Sequence, residues 1–501
     1  MDEARAKLAG DIRRSLNQGD RLAIEYDDRA ISWEDARVMS ASLGEHLDRM
    51  GVARGQRIGL IARSRPSHVL AMWGILANEC CVSMIYSAQS TQRIAQDIGR
   101  VAAPLVIAEA ADWTADLRAA TAELGAVGLT FGDGRLVAVT GLETLANPAL
   151  AVPAPDVAVE TLSSGTTGTP KRIALSWQAL GDTCTNAART LEEMYPGDDP
   201  APFICAVPLG NMAGVYAVFP AAAKGHPMAM MEKFNLPGWL ERVRRYRPPA
   251  VDLPCAGIQM LMASDVDPAD LASIKWIRSG SAPLDPAAQR KLLETYGIPV
   301  NLAYGASEFC GVVTAWSPDD LTHFAHAKLG SCGRALPGVA LRIVSAEGEA
   351  LPVDEPGLLE ARVERIGPDW IRTTDICRVD ADGFLWFSGR SDDVIMRGGF
   401  KIAPEKVETA LRSHGAILDA AVCGVADARL CEVPVAVISL RNPAHPPAAA
   451  DREAHARAAL MAYEVPVRFQ ITREVPRNPA MKIDRRAVRA LVAVDAALPL
   501  A

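Results

Sequence analysis

The chain has 501 residues, is 49% hydrophobic and 22% charged, and carries a formal net charge of −8. That length exceeds one hydrophobic core and predicts about two to four domains. The acidic balance gives no reason to expect nucleic acid or an anionic membrane as the main partner. The ten cysteines, with no C-x-x-C pair and no cysteine–histidine cluster, make neither a disulfide framework nor a zinc site.

In chain order, the first twenty residues are charged and helix-like, unlike a secretory leader. Apolar spacing predicts a helix over 31–51, closed by Gly51, then a buried strand over 56–64, a helix over 67–79 and a strand over 81–86. The longest apolar stretch, 68–88, is broken by Asn78 and Glu79. It reads as a helix running into a strand, not as a membrane span. Reduced thiols and the lack of a targeting signal predict a cytoplasmic protein with no integral membrane association. Alternating helices and strands predict an α/β architecture with mainly parallel sheets. The Pro- and Ala-rich segment 147–156 is an extended connection into a strand over 157–162.

That strand runs into 162-LSSGTTGTPKRI-173, where Ser163 to Pro170 carry no charge and no large side chain, followed at once by Lys171 and Arg172. Such a loop leaves backbone N–H groups unshielded, adds hydroxyl donors and ends on cations, which suits an oligophosphate. Alone, a Gly/Ser/Thr run is more often a linker. The G-x-x-x-x-G-K-[ST] loop is excluded, because Thr169 and Pro170 separate Gly168 from Lys171 and no Ser or Thr follows the lysine.

Further strands are predicted at 203–208 and 299–305. From about 338 apolar and polar residues alternate, predicting a small antiparallel, barrel-like part. The segment 389-GRSDDVIMRGGFKIAP-404 sets charges and glycines between two well-formed elements. The rest reads as a small α+β unit, with helices over 405–414 and 451–463 and strands over 419–425 and 433–440. The division is therefore drawn at Arg390: a large multi-subdomain part over 1–389 and a small mobile domain over 390–501.

The string SSGTTGTPK resembles the phosphate-binding signature of the adenylate-forming enzymes, which include acyl- and aryl-CoA ligases, peptide-synthetase adenylation domains and luciferases. Five other segments resemble that family in order: 279-SGSAPL-284, 304-YGASE-308, 330-GSCGRALPG-338, 370-WIRTTD-375 and 389-GRSDDVIMRGG-399. A sixth, 476-PRNPAMKIDRR-486, lies near the C-terminus, so the resemblance spans nearly the whole chain.

The resemblance implies attack of a carboxylate on the α-phosphate of ATP, release of pyrophosphate, and displacement of AMP by a thiol. Ser163, Ser164, Gly165, Thr166, Thr167, Gly168 and Lys171 would cradle the β- and γ-phosphates. Glu308 would help hold Mg²⁺, and Ser307 would offer its hydroxyl to the α-phosphate. Tyr304, with Gly305 and Ala306 after it, would lie against the adenine, and Ser279, Gly280 and Ser281 would line its pocket. Asp375 would accept from the ribose hydroxyls, with Arg390 beside it. Lys482 would bridge the carboxylate and the α-phosphate. Asp392 matches the hinge about which the small domain rotates, and Gly398 and Gly399 would leave room for the pantetheine arm of CoA.

Some positions depart from the family pattern. Gly210 and Asn211 stand where CoA ligases usually carry an aromatic–His pair. Thr374 and Met481 replace the glycines before Asp375 and Lys482, and Arg172 replaces one after Lys171. The acid pocket is expected to draw on Asn211, Met212, Ala282, Ala303, Phe309 and Cys310. These are mostly small or apolar, which favours an apolar aryl or medium-to-long alkyl acid. The leading expectation is an acyl- or aryl-CoA ligase using ATP, Mg²⁺ and CoA; a homodimer is compatible with the sequence. The alternatives are a stand-alone adenylation enzyme loading a carrier-protein thiol, and a non-catalytic relative that binds nucleotide or acyl ligand.

Overall fold

The computed structural model describes residues 2–495 apart from Ala88, residues 163–171, Pro196, Asp198, Pro208, Asn211, Gly398, Gly399, Ala428, Pro479 and Ala480. Its largest sheet runs in the order Arg135–Ala138, Val127–Gly132, Leu105–Ala108, Arg57–Ala62, Cys81–Tyr86, Val157–Leu162 and Arg172–Ser176. The inner strands pair in parallel and the outermost strand on each side pairs antiparallel. Ile58 to Ala62 are all buried, as expected of a strand covered on both faces.

The covering helices carry their own start and stop signals. Helix Trp33–Met50 opens with Ser32 and Asp35 capping each other and closes on Gly51 at φ 63. Its Trp33 stacks on Trp73 of helix Pro66–Ala77, with ring centroids 4.9 Å apart. The 68–88 stretch is indeed helix followed by strand, and no described helix is long and apolar enough to cross a membrane.

A second sheet sets Ala250–Asp252, Trp276–Gly280 and Val300–Ala306 in parallel, then adds Gly311–Ala315 and Arg334–Ala335 antiparallel. A mixed sheet joins Phe203–Cys205 and Met228–Met230 to the N-terminal hairpin Leu22–Tyr26 and Arg29–Ser32. The strand expected over 203–208 stops at Cys205, because Ala206, Val207, Leu209 and Gly210 leave the sheet to line a cleft. The antiparallel part is the four-stranded sheet Val339–Val344, Gly357–Val363, Trp370–Val379 and Leu385–Arg390.

Beyond Arg390 a new sheet begins. Ile395–Arg397 pairs with Phe400–Ile402 and Cys431–Leu440, which is flanked by Ile417–Asp427 and, in parallel, Arg468–Thr472. Helix Ala449–Ala459 ends short of the expected 463. Leu460 is extended there, and the Met461 amide turns to donate to the Glu464 carboxylate. Among the described residues, no buried apolar cluster joins residues up to Phe387 with residues from Ile395 onward. The fold is mixed α/β, a large N-terminal part with a small C-terminal one.

Arg172, a departure at sequence level, is a structural tie. Its guanidinium donates to the Met84 carbonyl at 3.0 Å and to the buried Asp97 at 2.9 Å, pinning strand Arg172–Ser176 to helix Thr91–Val101. Arg172→Gly leaves that carboxylate buried without its cation. The expected loss is about 3 kcal/mol in urea unfolding, most of it recovered when Asp97→Asn is added.

Candidate active site

The two parts enclose a cleft of about 2870 Å³. Its floor is built from strand ends. Gly280, closing strand Trp276–Gly280, lies so near strand Val300–Ala306 that a Cβ there would meet the Ala303 carbonyl oxygen at 2.7 Å; at Gly305 it would run into the Gly311 carbonyl oxygen. These glycines permit neighbouring backbones to close up. Ser281 then turns at φ 66, and Ser279, Gly280, Ser281 and Ala282 all line the cleft.

Tyr304 is buried, its ring stacked on Phe387 and tilted against Phe309, while its hydroxyl donates to Asp375 across the cleft floor. Asp375 sits on strand Trp370–Val379 directly opposite Arg390, whose Nε is 3.8 Å from it. Burial pushes the Asp375 carboxyl above the ordinary aspartate range; the Tyr304 hydroxyl and Arg390 oppose this, and Asp392 and Glu308 add to it. Arg390 also chelates Asp392 with Nε and Nη2 at 2.8 and 3.0 Å.

The turn Ser307–Phe309 follows strand Val300–Ala306 and sends the consecutive Glu308 and Phe309 side chains opposite ways. Glu308 is exposed and lines the cleft; the Ser307 side chain lies outside the described atoms. Phe309 corrects an expectation. It lines no acid pocket but is fully buried, because the turn points it into the core beneath Tyr304. Met212, Ala303, Ala306 and Cys310 do line the cleft.

Lys482 reaches this cleft from the C-terminal part. A tight turn holds it: the Asn478 amide donates to the Lys482 carbonyl at 2.8 Å, and the Lys482 amide to Asn478 Oδ1 at 3.0 Å. Met481, the glycine-for-methionine position, turns at φ 61, which accounts for glycine being the usual residue. Arg477 steadies the turn by donating to the Met481 carbonyl and to Asp419, both at 2.6 Å. Lys482 is half-buried. Burial first, and then nearby Arg390, hold its ammonium below the ordinary lysine value, with Asp375 and Glu308 pulling the other way.

The structure thus brings together Ser279–Ala282, Tyr304–Ala306, Glu308, Asp375, Arg390 and Lys482. Ser163–Gly168, Lys171, Asn211, Gly398 and Gly399 lie outside the described residues. The flanks of the glycine-rich segment are paired, Leu162 opposite Arg172, and Leu162 lines the cleft. Sequence reasoning missed Cys255, whose thiol lies 3.3 Å from Ser279 Oγ, and Tyr216, whose hydroxyl donates to the Cys310 carbonyl. It also missed Arg365, which clamps the Glu308 turn by donating to the Phe309 and Val312 carbonyls at 2.9 and 3.1 Å. No motif marks these three, since each acts on a residue distant in sequence.

Among the described residues there is no cluster of three or more metal-ligating side chains. One cleft carboxylate, Glu308, suits Mg²⁺, which takes one or two protein carboxylates and fills its shell with phosphate oxygens and water.

Residues 13–364 match the family model described as AMP-binding enzyme, and 406–482 match the AMP-binding enzyme C-terminal domain. The chain belongs to the AMP-binding enzyme family. It is 26% identical to a 2-succinylbenzoate–CoA ligase of Geobacillus kaustophilus, over 96% of this chain and 97% of that one. It is 25% identical to a 4-coumarate–CoA ligase of Vanilla planifolia, over 94% and 90% of the two chains. Among solved structures, an anthranilate CoA ligase in complex with anthranoyl-AMP superposes with a TM-score of 0.80 at 22% identity, covering 98% of each chain. ATP-bound MatB from Rhodopseudomonas palustris superposes at 0.81 with 21% identity, covering 97% of this chain and 98% of that one.

Competitive acetylation of the ligand-free protein across pH, read by mass spectrometry, is expected to titrate Lys482 below the ordinary lysine value of 10.5. Added ATP, by supplying negative charge, is expected to move it upward. Titration of Lys482 at or above the ordinary value without ligand would contradict the docked geometry.

Proposed function

We propose that this enzyme is an AMP-forming acid–thiol ligase: it activates a carboxylic acid with ATP as an acyl-adenylate and then transfers the acyl group to CoA. The observation that carries the reading is the convergence of Lys482, from the C-terminal part, on Asp375 and Glu308 of the large part and on Arg390 at the junction of the two. Family membership and the CoA ligases among the relatives support it.

In the first step a carboxylate oxygen attacks the α-phosphorus and pyrophosphate leaves. Both reactants are anions, so the step needs positive charge and fixed orientation more than a proton acceptor. Lys482, kept short of partners by burial, gains most from the charge that gathers between the carboxylate and the α-phosphate. Asp375, oriented by the Tyr304 hydroxyl, accepts from the ribose hydroxyls. Ser279 to Ser281 line the base pocket, and the segment 163–171 holds the pyrophosphate end. Glu308 would hold Mg²⁺, which when bound supplies charge neutralisation on the phosphates. In the second step the thiol attacks the acyl carbon and AMP leaves, after the small domain, 390–501, rotates about Asp392.

The acid belongs to the apolar class, aryl or medium-to-long alkyl. Met212, Ala282, Ala303 and Cys310 offer it no charge. A cytoplasmic location fits these substrates.

The test is acid-dependent exchange of labelled pyrophosphate into ATP, and AMP release, over a panel of aryl and alkyl acids with and without CoA. Lys482→Ala is expected to reduce exchange by about 100-fold or more while leaving ATP binding measurable. The rate should follow a bell-shaped pH profile. Its acid limb reflects Asp375, active as the carboxylate above its raised pKa, and its alkaline limb reflects Lys482, active as the ammonium below its lowered one. Acyl-adenylate without thioester would move the acceptor to a carrier-protein thiol. No exchange with any acid would sink the reading.

A further inference from the structure

Thr374 stands where the resembled family segment carries glycine, between Thr373 and Asp375 on strand Trp370–Val379. Its hydroxyl accepts from Arg390 Nη2 at 2.6 Å. Arg390 in turn holds the Asp392 carboxylate through two bonds, at 2.8 and 3.0 Å, the longer from that same Nη2. The main chain repeats the tie, the Ser391 amide donating to the Thr374 carbonyl at 2.7 Å.

A hydroxyl can accept from a guanidinium; a glycine or valine side chain cannot. The bond has an ionised donor, which makes it stronger than a neutral one. With the main-chain bond it fastens residues 390–392 to the strand that carries Asp375, at the point where the chain leaves one sheet for the next, Ile395–Arg397. Beside them the two parts touch: a Cβ on Gly389 would meet Glu405 Oε2 at 2.8 Å.

We propose that Thr374 is a positioning residue, a clasp that biases the small domain toward the orientation in which Lys482 faces Asp375 and Glu308. The inference rests on the function proposed above. Turning the chain at Asp392 draws its carboxylate off the Arg390 guanidinium that Thr374 steadies, so the clasp belongs to one orientation only. A contact made in one of two states shifts their populations by its own free energy. The clasp therefore favours adenylation and must open before the thiol step.

The test compares Thr374→Val, Thr374→Gly and Thr374→Ser with the unaltered protein. Amide hydrogen exchange over 391–397 is read without ligand. Pyrophosphate exchange, and thioester formation from supplied acyl-adenylate, are then read with an accepted acid. Val and Gly are expected to speed amide exchange and to slow pyrophosphate exchange by about 3- to 10-fold, with the thioester step unchanged or faster; Ser should retain all three values. Val and Gly behaving like the unaltered protein would overturn the clasp. So would a parallel fall of both half-reactions with a lower melting temperature, the mark of a merely structural residue. If the unaltered protein shows no pyrophosphate exchange with any acid, the proposed function fails, and the amide exchange still decides the clasp.

Discussion

Two cations, Lys482 and Arg390, are held close enough in one cleft for each to feel the other's charge, and they come from opposite sides of a gap between separate hydrophobic cores. Like charges do not gather without a reason. Here Asp375 and Glu308 supply part of the compensation, and the balance left to Lys482 is unfavourable until an anion arrives. The fold answers that requirement. A rigid floor fixes Asp375 and Arg390 opposite each other, and a short turn delivers the lysine from a unit with its own core.

The floor gains its rigidity from close approach of backbones. Gly280 and Gly305 admit neighbouring strands to distances that any side chain would forbid, and Tyr304 fills the space behind them with a buried ring. Arg365 and the Tyr216 hydroxyl then lock the Glu308 turn from behind by saturating its carbonyls. The delivering turn is less relaxed, since Met481 takes a left-handed conformation that costs a side chain about 1 kcal/mol. Strain thus sits next to the reacting cation, while the floor carries none at Asp375 or Arg390.

The parts legible in the sequence were those in which a local pattern imposes a local shape. The parallel-strand runs and the helix ended by Gly51 belong to this class; the glycines of the cleft floor were marked only by the family resemblance. Adjacency in sequence misled where a turn separates neighbours: Glu308 faces the cleft and Phe309 the core, though they are consecutive. It was silent where the partner is remote. Arg172 meets Asp97, Cys255 meets Ser279, and Arg365 meets Phe309, across separations that no spacing encodes. Thr374 and Arg172 stood out only as departures from the family pattern, because the sequence shows what a residue replaces and not what it touches.

The distribution of thiols has a practical corollary. Nine of the cysteines are buried and one, Cys431, is exposed at the start of strand Cys431–Leu440. Burial pushes the hidden thiols up, Cys80 to about 11 and Cys205 to about 12, so few of them exist as reactive thiolate near neutral pH. A maleimide dye added to the unaltered chain is thereby directed first to the C-terminal unit. Nature has left a single attachment point on the part that carries Lys482, and a fluorophore placed there would report that part's environment without any engineered cysteine.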